Sequence, residues 1–190
     1  MILRDSTGRD DSGVLVEYRG HRVLNTVDCS FPTHGELPSP VDVLLTRFSS
    51  GSSEYPVCYP EQYSEQRMQK IVSSKRRLYL ERTVEMAIQT DASVVIPFAG
   101  YFTEAHPADA DIKMRNVKNS PYAVREALHA RSPHTTTWIP GPGSELDVGY
   151  PNLMNSDYIE SAKPTHDFDA YIDAIREEKE FEPLQHMEGI

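Results

Sequence analysis

Cysteine is scarce in this sequence of 190 residues, which contains only Cys29 and Cys58. Two cysteines cannot build a disulfide framework or a four-cysteine metal site, and they are typical of reduced thiols in a cytoplasmic protein. Long apolar runs are also missing, because no stretch approaches the ~18 consecutive apolar residues of a transmembrane helix. The amino-terminal residues lack the apolar core of a secretory signal. These absences predict a cytoplasmic protein without a membrane span.

Basic residues are outnumbered, since 19 Lys and Arg stand against 29 Asp and Glu and give a net charge of -10. This balance argues against nucleic acid or an anionic membrane as the main partner. The charge is uneven: residues 157–190 contain ten acids and three bases, whereas residues 67–82 contain six bases and one acid. The basic stretch either binds an anionic small molecule or is the solvated face of a helix.

The hydrophobic pattern predicts an α/β fold, in which a mixed sheet is flanked by helices. Alternation around Gly20 predicts a β-hairpin, and the β-α-β order around a long helix predicts parallel pairing. Residues 48–60 are rich in Ser, Gly, Tyr and Pro and are predicted to form a loop. Strands are predicted over 14–18, 21–26, 41–46, 93–97 and 135–139, and helices over 61–89, 121–131 and, in the acidic C-terminal region, 167–180.

Two strand ends carry residues that suit chemistry. The second predicted strand is followed by Asp28 and Cys29, and the strand ending at Pro97 opens into a segment with Glu104 and His106. Strand ends of α/β folds gather catalytic and metal-binding side chains. His106 suits a zinc or iron ligand, and Glu104 would orient it or handle a proton. The alternatives are that Asp28 caps a turn, that Cys29 is a small core residue, and that His106 lies in an exposed loop.

A third segment, Pro140-Gly141-Pro142-Gly143-Ser144-Glu145, would let backbone amides approach a ligand closely, or would form a rigid turn. Together with two other segments it carries a resemblance to a known family. Those segments are VEYRGHRVLNTVDC at 16–29 and PFAGYFTEAHPAD at 97–109, joined by WIPGPG at 138–143. From about residue 1 to 180, the sequence resembles the central part of the CMP-N-acetylneuraminate monooxygenase (CMP-sialic acid hydroxylase) family.

This resemblance implies a fold and an activity. Members of the family are similar to metallo-β-lactamase-like αβ/βα sandwich proteins, preceded by a Rieske [2Fe-2S] domain. They insert an oxygen atom into the N-acetyl group of CMP-N-acetylneuraminate with electrons from cytochrome b5 in the cytosol. By the resemblance, Asp28 and His106 belong to a site for iron or another transition metal, and residues 1–190 form part of that domain. Glu104, from its place beside His106, is the candidate catalytic residue.

The sequence also departs from the family pattern. A Rieske cluster needs two Cys and two His in paired motifs, and the His-x-His-x-Asp-His motif of metallo-β-lactamase-like sites is absent as well. The chain therefore resembles the C-terminal half of the metal-binding domain, and the isolated chain is expected to carry no cluster and to lack hydroxylase activity. A metallo-β-lactamase-like hydrolase with a metal-bound hydroxide and a non-catalytic remnant stay open as alternatives.

The anionic substrate implied by the resemblance needs basic contacts, because CMP-sialic acid carries a phosphate and a carboxylate. Three consecutive bases at 75–77 point in different directions on a helix, so they cannot all face one site. Lys113, Arg115 and Lys118 follow His106 closely and are the favoured substrate-binding residues, with solvated loop lysines as the alternative. Asp28 and His106 are further predicted to lie near each other at one end of the sheet.

Overall fold

The computed structural model describes residues 1–8, 10–53, 55–100, 102–104, 106–140 and 144–148. In this part of the chain a six-stranded sheet has the order β1-β2-β3-β4-β5-β6. The strands are β1 (Ile2–Arg4), β2 (Ser12–Tyr18), β3 (His21–Asn25), β4 (Val41–Arg47), β5 (Ala92–Ala99) and β6 (Thr136–Thr137). The α-helices are α1 (Tyr55–Cys58), α2 (Glu65–Gln89), α3 (Ala110–Arg115) and α4 (Pro121–Arg131). The predicted α/β class is confirmed.

The amino-terminal half of the sheet is antiparallel. Strands β2 and β3 form the predicted hairpin, with Leu15 opposite Leu24. Its two-residue turn has φ of 49° at Arg19 and 86° at Gly20. Positive φ at both central residues matches the right-handed twist of the flanking strands, and glycine adopts it without steric cost. Strand β1 pairs with β2 at the outer edge.

The other half of the sheet is parallel, because β3 pairs with β4, β4 with β5 and β5 with β6 in the same direction. Helix α2 connects β4 to β5, so the predicted β-α-β unit and its parallel pairing are confirmed. The helix begins four residues later than predicted, since the Ser64 side chain accepts a hydrogen bond from the Arg67 N–H and caps it. The Ser120 side chain caps α4 in the same way.

Two details of the sequence-based elements are wrong. Residues 48–60 are not all loop, because α1 forms where the buried Val57 packs against Met68 and Val72 of α2. The strand predicted over 135–139 is reduced to β6, and α3 was not predicted. The helix predicted over 167–180 and residues 141–143 lie outside the described residues.

Alternating side chains divide the core between the two faces of the sheet. On one face, Leu24, Leu44 and Val95 pack against buried residues of α2 and α4. On the opposite face, Val94 and Trp138 belong to a smaller cluster that also contacts the segment 144–148, and no described helix contributes to it. A helix layer on one face is consistent with half of an αβ/βα sandwich. Within the described part of the chain, none of the helices is both long and apolar enough to cross a bilayer.

The parallel half places four chain segments at one edge. The carboxyl ends of β3, β4, β5 and β6 lie together, so the residues that follow each strand meet there. Such an edge is where open α/β sheets bind their ligands. All three candidate segments of the sequence analysis begin at this edge.

Candidate active site

Glu104 lies buried at the carboxyl edge, with 7% of its surface exposed. Its Oε1 atom accepts a hydrogen bond from the Ser53 hydroxyl at 2.6 Å and another from the Asn116 side-chain amide at 2.6 Å. Ser53 follows β4, and Asn116 follows α3. The carboxylate therefore ties the loop after β4 to the segment after α3. We refer to Glu104, Ser53 and Asn116 as the Glu104 clamp.

Lys118 reaches the same loop after β4. Its Nζ donates hydrogen bonds to the carbonyl oxygens of Ser50, at 3.2 Å, and Ser52. The Nζ atom also lies 5.4 Å from the centre of the Phe102 ring, a distance at which a cation is attracted to the ring face. Of the three predicted substrate-binding bases, Lys118 is thus brought close to the Glu104 clamp.

The backbone of the segment after β5 comes very near this loop. Gly100 has φ of 143°, and a Cβ atom there would lie 2.9 Å from the Ser49 backbone nitrogen. Only glycine fits such a contact at this φ. The buried Asn119 side chain adds hydrogen bonds to the carbonyl oxygens of Phe48 and Arg76. Close packing therefore holds the segments after β4, β5 and α3 against each other.

The other two predicted bases lie elsewhere on the short helix α3. Arg115 Nε lies 3.7 Å from a carboxylate oxygen of Glu65, at the start of α2. Lys113 lies in the last turn of α3. The structure therefore gives Arg115 and Lys118 different partners.

Asp28 is exposed over 68% of its side chain and lies 3.8 Å from Arg47 at the end of β4. The Arg47 guanidinium also donates to the Ser30 hydroxyl and lies 5.1 Å from the centre of the Tyr79 ring. Cys29 is buried, and burial raises the pKa of its thiol. Cys29 is thus a core residue, as one of the two sequence interpretations proposed, while Asp28 faces solvent beside an arginine.

His106 caps the short 3-10 helix Pro107–Asp109, because its Nδ1 accepts a hydrogen bond from the Ala108 N–H at 3.1 Å. A neutral ring that accepts at Nδ1 carries its proton on Nε2. A metal at Nδ1 would therefore have to replace the hydrogen bond from the Ala108 N–H. A metal at Nε2 would require the ring proton to move from Nε2 to Nδ1. Asp28 and His106 follow β3 and β5, which β4 separates, so the strand ends are about 10 Å apart.

Asp28 and His106 have the right chemistry for part of a metal site, because carboxylate and imidazole are common ligands of iron and zinc. Two donors are too few, since the usual catalytic sites use three protein ligands. Among the described residues, no group of three or more His, Cys, Asp or Glu is placed to hold a metal ion. The described residues therefore do not form a complete centre, and we derive no reaction step through a metal.

Two residues of this edge escaped the sequence analysis. Ser53 donates to Glu104, and Arg47 contacts Asp28, Ser30 and Tyr79. A signal was present for Arg47, because it is a charged residue directly after a nearly continuous apolar strand. Ser53 gave no such signal, since it is one of several serines in a polar segment.

Sequence comparison finds curated proteins that are similar to this chain over 78–100% of its length. No family model and no solved structure matches it. It is 35% identical over 199 residues to the cytidine monophosphate-N-acetylneuraminic acid hydroxylase of Asterias rubens, covering 100% of this chain and 30% of that protein. The hydroxylases of Danio rerio and Mus musculus are 34% and 36% identical and are covered over 34% and 26% of their length.

The chain spans about a third or less of the length of these curated relatives. The recognised resemblance is confirmed, including its limitation to part of the family's length. The chain is therefore a relative of the cytidine monophosphate-N-acetylneuraminic acid hydroxylases, which it matches over one section of their sequence.

Proposed function

We propose that this chain forms part of an oxygenase that converts CMP-N-acetylneuraminate to CMP-N-glycolylneuraminate by hydroxylating its N-acetyl group. The observation that carries the proposal is the similarity, at 34–35% identity over 100% of the chain, to relatives named as this hydroxylase. In this proposal residues 1–190 are one section of a metallo-β-lactamase-like domain, and the protein works in the cytosol. The free state of Cys29 and Cys58 supports a reducing compartment.

Glu104 is proposed as the catalytic carboxylate. It is buried and lies at the carboxyl edge of the parallel strands, where its Oε1 already accepts two hydrogen bonds from side chains. A carboxylate held in this way is positioned to hold or release a proton near a bound substrate. Lys113, Arg115 and Lys118 are proposed to bind the anionic groups of the substrate. Lys118 and Glu104 both contact the loop after β4.

Asp28 and His106 are proposed as two ligands of a larger metal site for iron or another transition metal. When bound, this metal would supply the activation of dioxygen. The remaining ligands would come from outside the described residues, and His106 would have to release the Ala108 N–H. A [2Fe-2S] cluster would belong to a Rieske domain outside this sequence, with cytochrome b5 as the proposed electron donor.

A hybrid protein tests the proposal. The matching section of the Asterias rubens hydroxylase is replaced by this chain, and product formation from CMP-N-acetylneuraminate is measured with an electron-donor system. We expect CMP-N-glycolylneuraminate to form. A folded, iron-loaded hybrid that makes no product would overturn the proposal.

Matched histidine variants of the hybrid test the metal role. His106→Gln should lower iron content and activity together, by about 100-fold in activity if a ligand is lost. His129→Gln is the control, because His129 is exposed in the last turn of α4. If both variants keep full iron content, His106 is not a metal ligand. Glu104→Gln should lower turnover while iron content stays unchanged.

A further inference from the structure

A small cavity lies between the carboxyl ends of β3 and β4 and helix α2. Its volume is about 20 Å³, which is room for one or two oxygen-sized atoms. The polar residues that line it are Thr26, Ser30, Thr46, Arg47, Tyr79, Arg82 and Thr83. We call this space the Arg47–Arg82 cavity. It adjoins Asp28 but shares no lining residue with the Glu104 clamp.

Two hydroxyl groups in the cavity wall have only a weak acceptor. Thr26 and Thr46 are 1% and 3% exposed, and their hydroxyls point to the Met86 sulfur at 3.0 and 3.8 Å. A thioether is a poor hydrogen-bond acceptor, so each buried O–H lacks most of the energy of a bond to oxygen. An oxygen atom placed in the cavity would accept from these hydroxyls at little cost.

The cavity also carries positive charge. The Arg47 side chain is 18% exposed and has Asp28 as a distant partner at 3.8 Å. Among the described residues, Arg82 makes no hydrogen bond or ion pair, whereas Arg77 on the same helix is paired with Glu81. The second guanidinium is therefore not neutralised, although the chain as a whole carries a charge of -10.

The acidic groups near the cavity do not cancel this charge. Cys29 lines it with a buried side chain. The Asp5 carboxylate accepts from the Ser30 N–H and from the N–H and hydroxyl groups of Thr7, and among the described residues it forms no ion pair with Arg47 or Arg82. Asp28 is directed at Arg47 from the solvent side, and on α2 the neighbouring Glu81 and Glu85 are paired with Arg77 and Arg131.

We propose that the Arg47–Arg82 cavity binds an oxyanion, a phosphate or carboxylate group of a small metabolite. Such a group offers only acceptor atoms, which is what two hydroxyl donors and two guanidinium groups require. Arg47, stacked on Tyr79, presents its donors in a fixed plane, and Arg82 adds the charge that no described acid balances. The volume accommodates one or two oxygens of the group, so the rest of the metabolite lies outside. The proposal does not rest on hydroxylase activity.

Titration of the chain with inorganic phosphate, acetate and CMP tests the site. Binding is followed by the backbone-amide NMR chemical shifts of residues 26–30 and 46–48. Chloride salt is used to keep the ionic strength constant during the titration. We expect saturable binding in the millimolar range or tighter, and the comparison of phosphate with acetate shows which oxyanion is preferred. Absence of saturable binding for all three probes would overturn the proposal.

Two variants and one control locate the binding. Arg82→Gln should weaken phosphate binding by about tenfold, since it removes a charged hydrogen bond. Thr46→Val should weaken it by about fivefold, because it removes one neutral donor and keeps the shape. Arg77→Gln removes the same charge from the same helix and should change affinity by less than about twofold. Equal effects of Arg82→Gln and Arg77→Gln would show non-specific charge attraction and overturn the site.

Discussion

Asp5 and Glu104 are both buried carboxylates that tie loops together, yet they are bound in different ways. Asp5 is 1% exposed and accepts from the backbone N–H groups of Thr7, Ser30 and Phe31 and from the Thr7 hydroxyl. Glu104 is 7% exposed and accepts from the side chains of Ser53 and Asn116. We call the first arrangement the Asp5 clamp. Backbone donors are fixed in position and hold the carboxylate in one orientation, whereas side-chain donors can rotate away from it.

This difference separates a structural carboxylate from one suited to chemistry. Burial alone would raise the pKa of Asp5, but its hydrogen bonds to Thr7, Ser30 and Phe31 outweigh burial and lower the pKa from 3.8 to about 2. The Asp5 clamp joins β1 to the segment after β3 through backbone donors. The Glu104 clamp connects loops at the carboxyl edge, where its donors can exchange with those of a ligand. The backbone donors of Asp5 therefore point to a structural role, and the catalytic role of Glu104 stays a prediction.

The largest effect is expected from Asp5→Ala. This change leaves three backbone N–H groups without an acceptor, so it should lower the free energy of unfolding by roughly 3 kcal/mol. Urea unfolding followed by circular dichroism measures the difference. Asp10→Ala is the control, because Asp10 is exposed, and it should stay within about 0.5 kcal/mol of the original protein. Equal stability of the two variants would contradict the structural role of Asp5.

The pH dependence of unfolding provides a second test of the Asp5 clamp. A folded-state pKa of about 2 against 3.8 for the free group means that the unfolded chain binds the proton more tightly. The ionised clamp thus stabilises the fold above pH 3.8, by roughly 2–3 kcal/mol, and this contribution disappears as the pH falls through 2. The stability difference between the original protein and Asp5→Asn should therefore shrink between about pH 5 and 2. A difference that stays constant over this range would show that folding does not lower the pKa of Asp5.

A smaller effect is expected from Glu104→Ala, about 1–2 kcal/mol of unfolding free energy, because Ser53 and Asn116 can turn toward water. Hydrogen exchange measures where the structure loosens. Glu104→Ala should speed exchange in residues 50–53 and 116–119, whereas Asp5→Ala should speed it in residues 5–7 and 29–31. Glu126→Ala, at an exposed position of α4, is the control. A larger loss of unfolding free energy from Glu104→Ala than from Asp5→Ala would contradict the comparison.

Local patterns predicted much of the fold. The hairpin followed from alternation and one glycine, β4 from an apolar run, and α4 from Ser120 before a proline. The sequence analysis missed α1 and α3, since helices of four and six residues hold too few periodic positions to detect. It also predicted β5 over 93–97, which is shorter than the observed Ala92–Ala99, and it included Thr135 in the strand that is observed as Thr136–Thr137. Short elements depend on contacts such as that of Val57 with α2, which no local pattern contains.

The candidate site was predictable only in part. Asp28, Glu104 and His106 were found because they follow predicted strands, and the structure places their segments at the same edge. The shared role of Asp28 and His106 in one metal site and the catalytic role of Glu104 stay predictions. The anion-binding roles of Lys113, Arg115 and Lys118 stay predictions as well, and the structure shows Lys118 and Arg115 already engaged with carbonyl and carboxylate groups.

The amino-acid sequence by itself determined the elements whose causes are local: the turn at Arg19-Gly20, the capped starts of α2 and α4, and the apolar strands of the sheet. Tertiary structure decided which distant side chains meet. Thr26, Thr46 and Arg82 line one cavity, and Ser53 and Asn116 meet at Glu104, because the parallel register of β3, β4 and β5 and the crossover through α2 bring their ends together. Register and crossover depend on burying both faces of the sheet at once, which is a property of the packed chain.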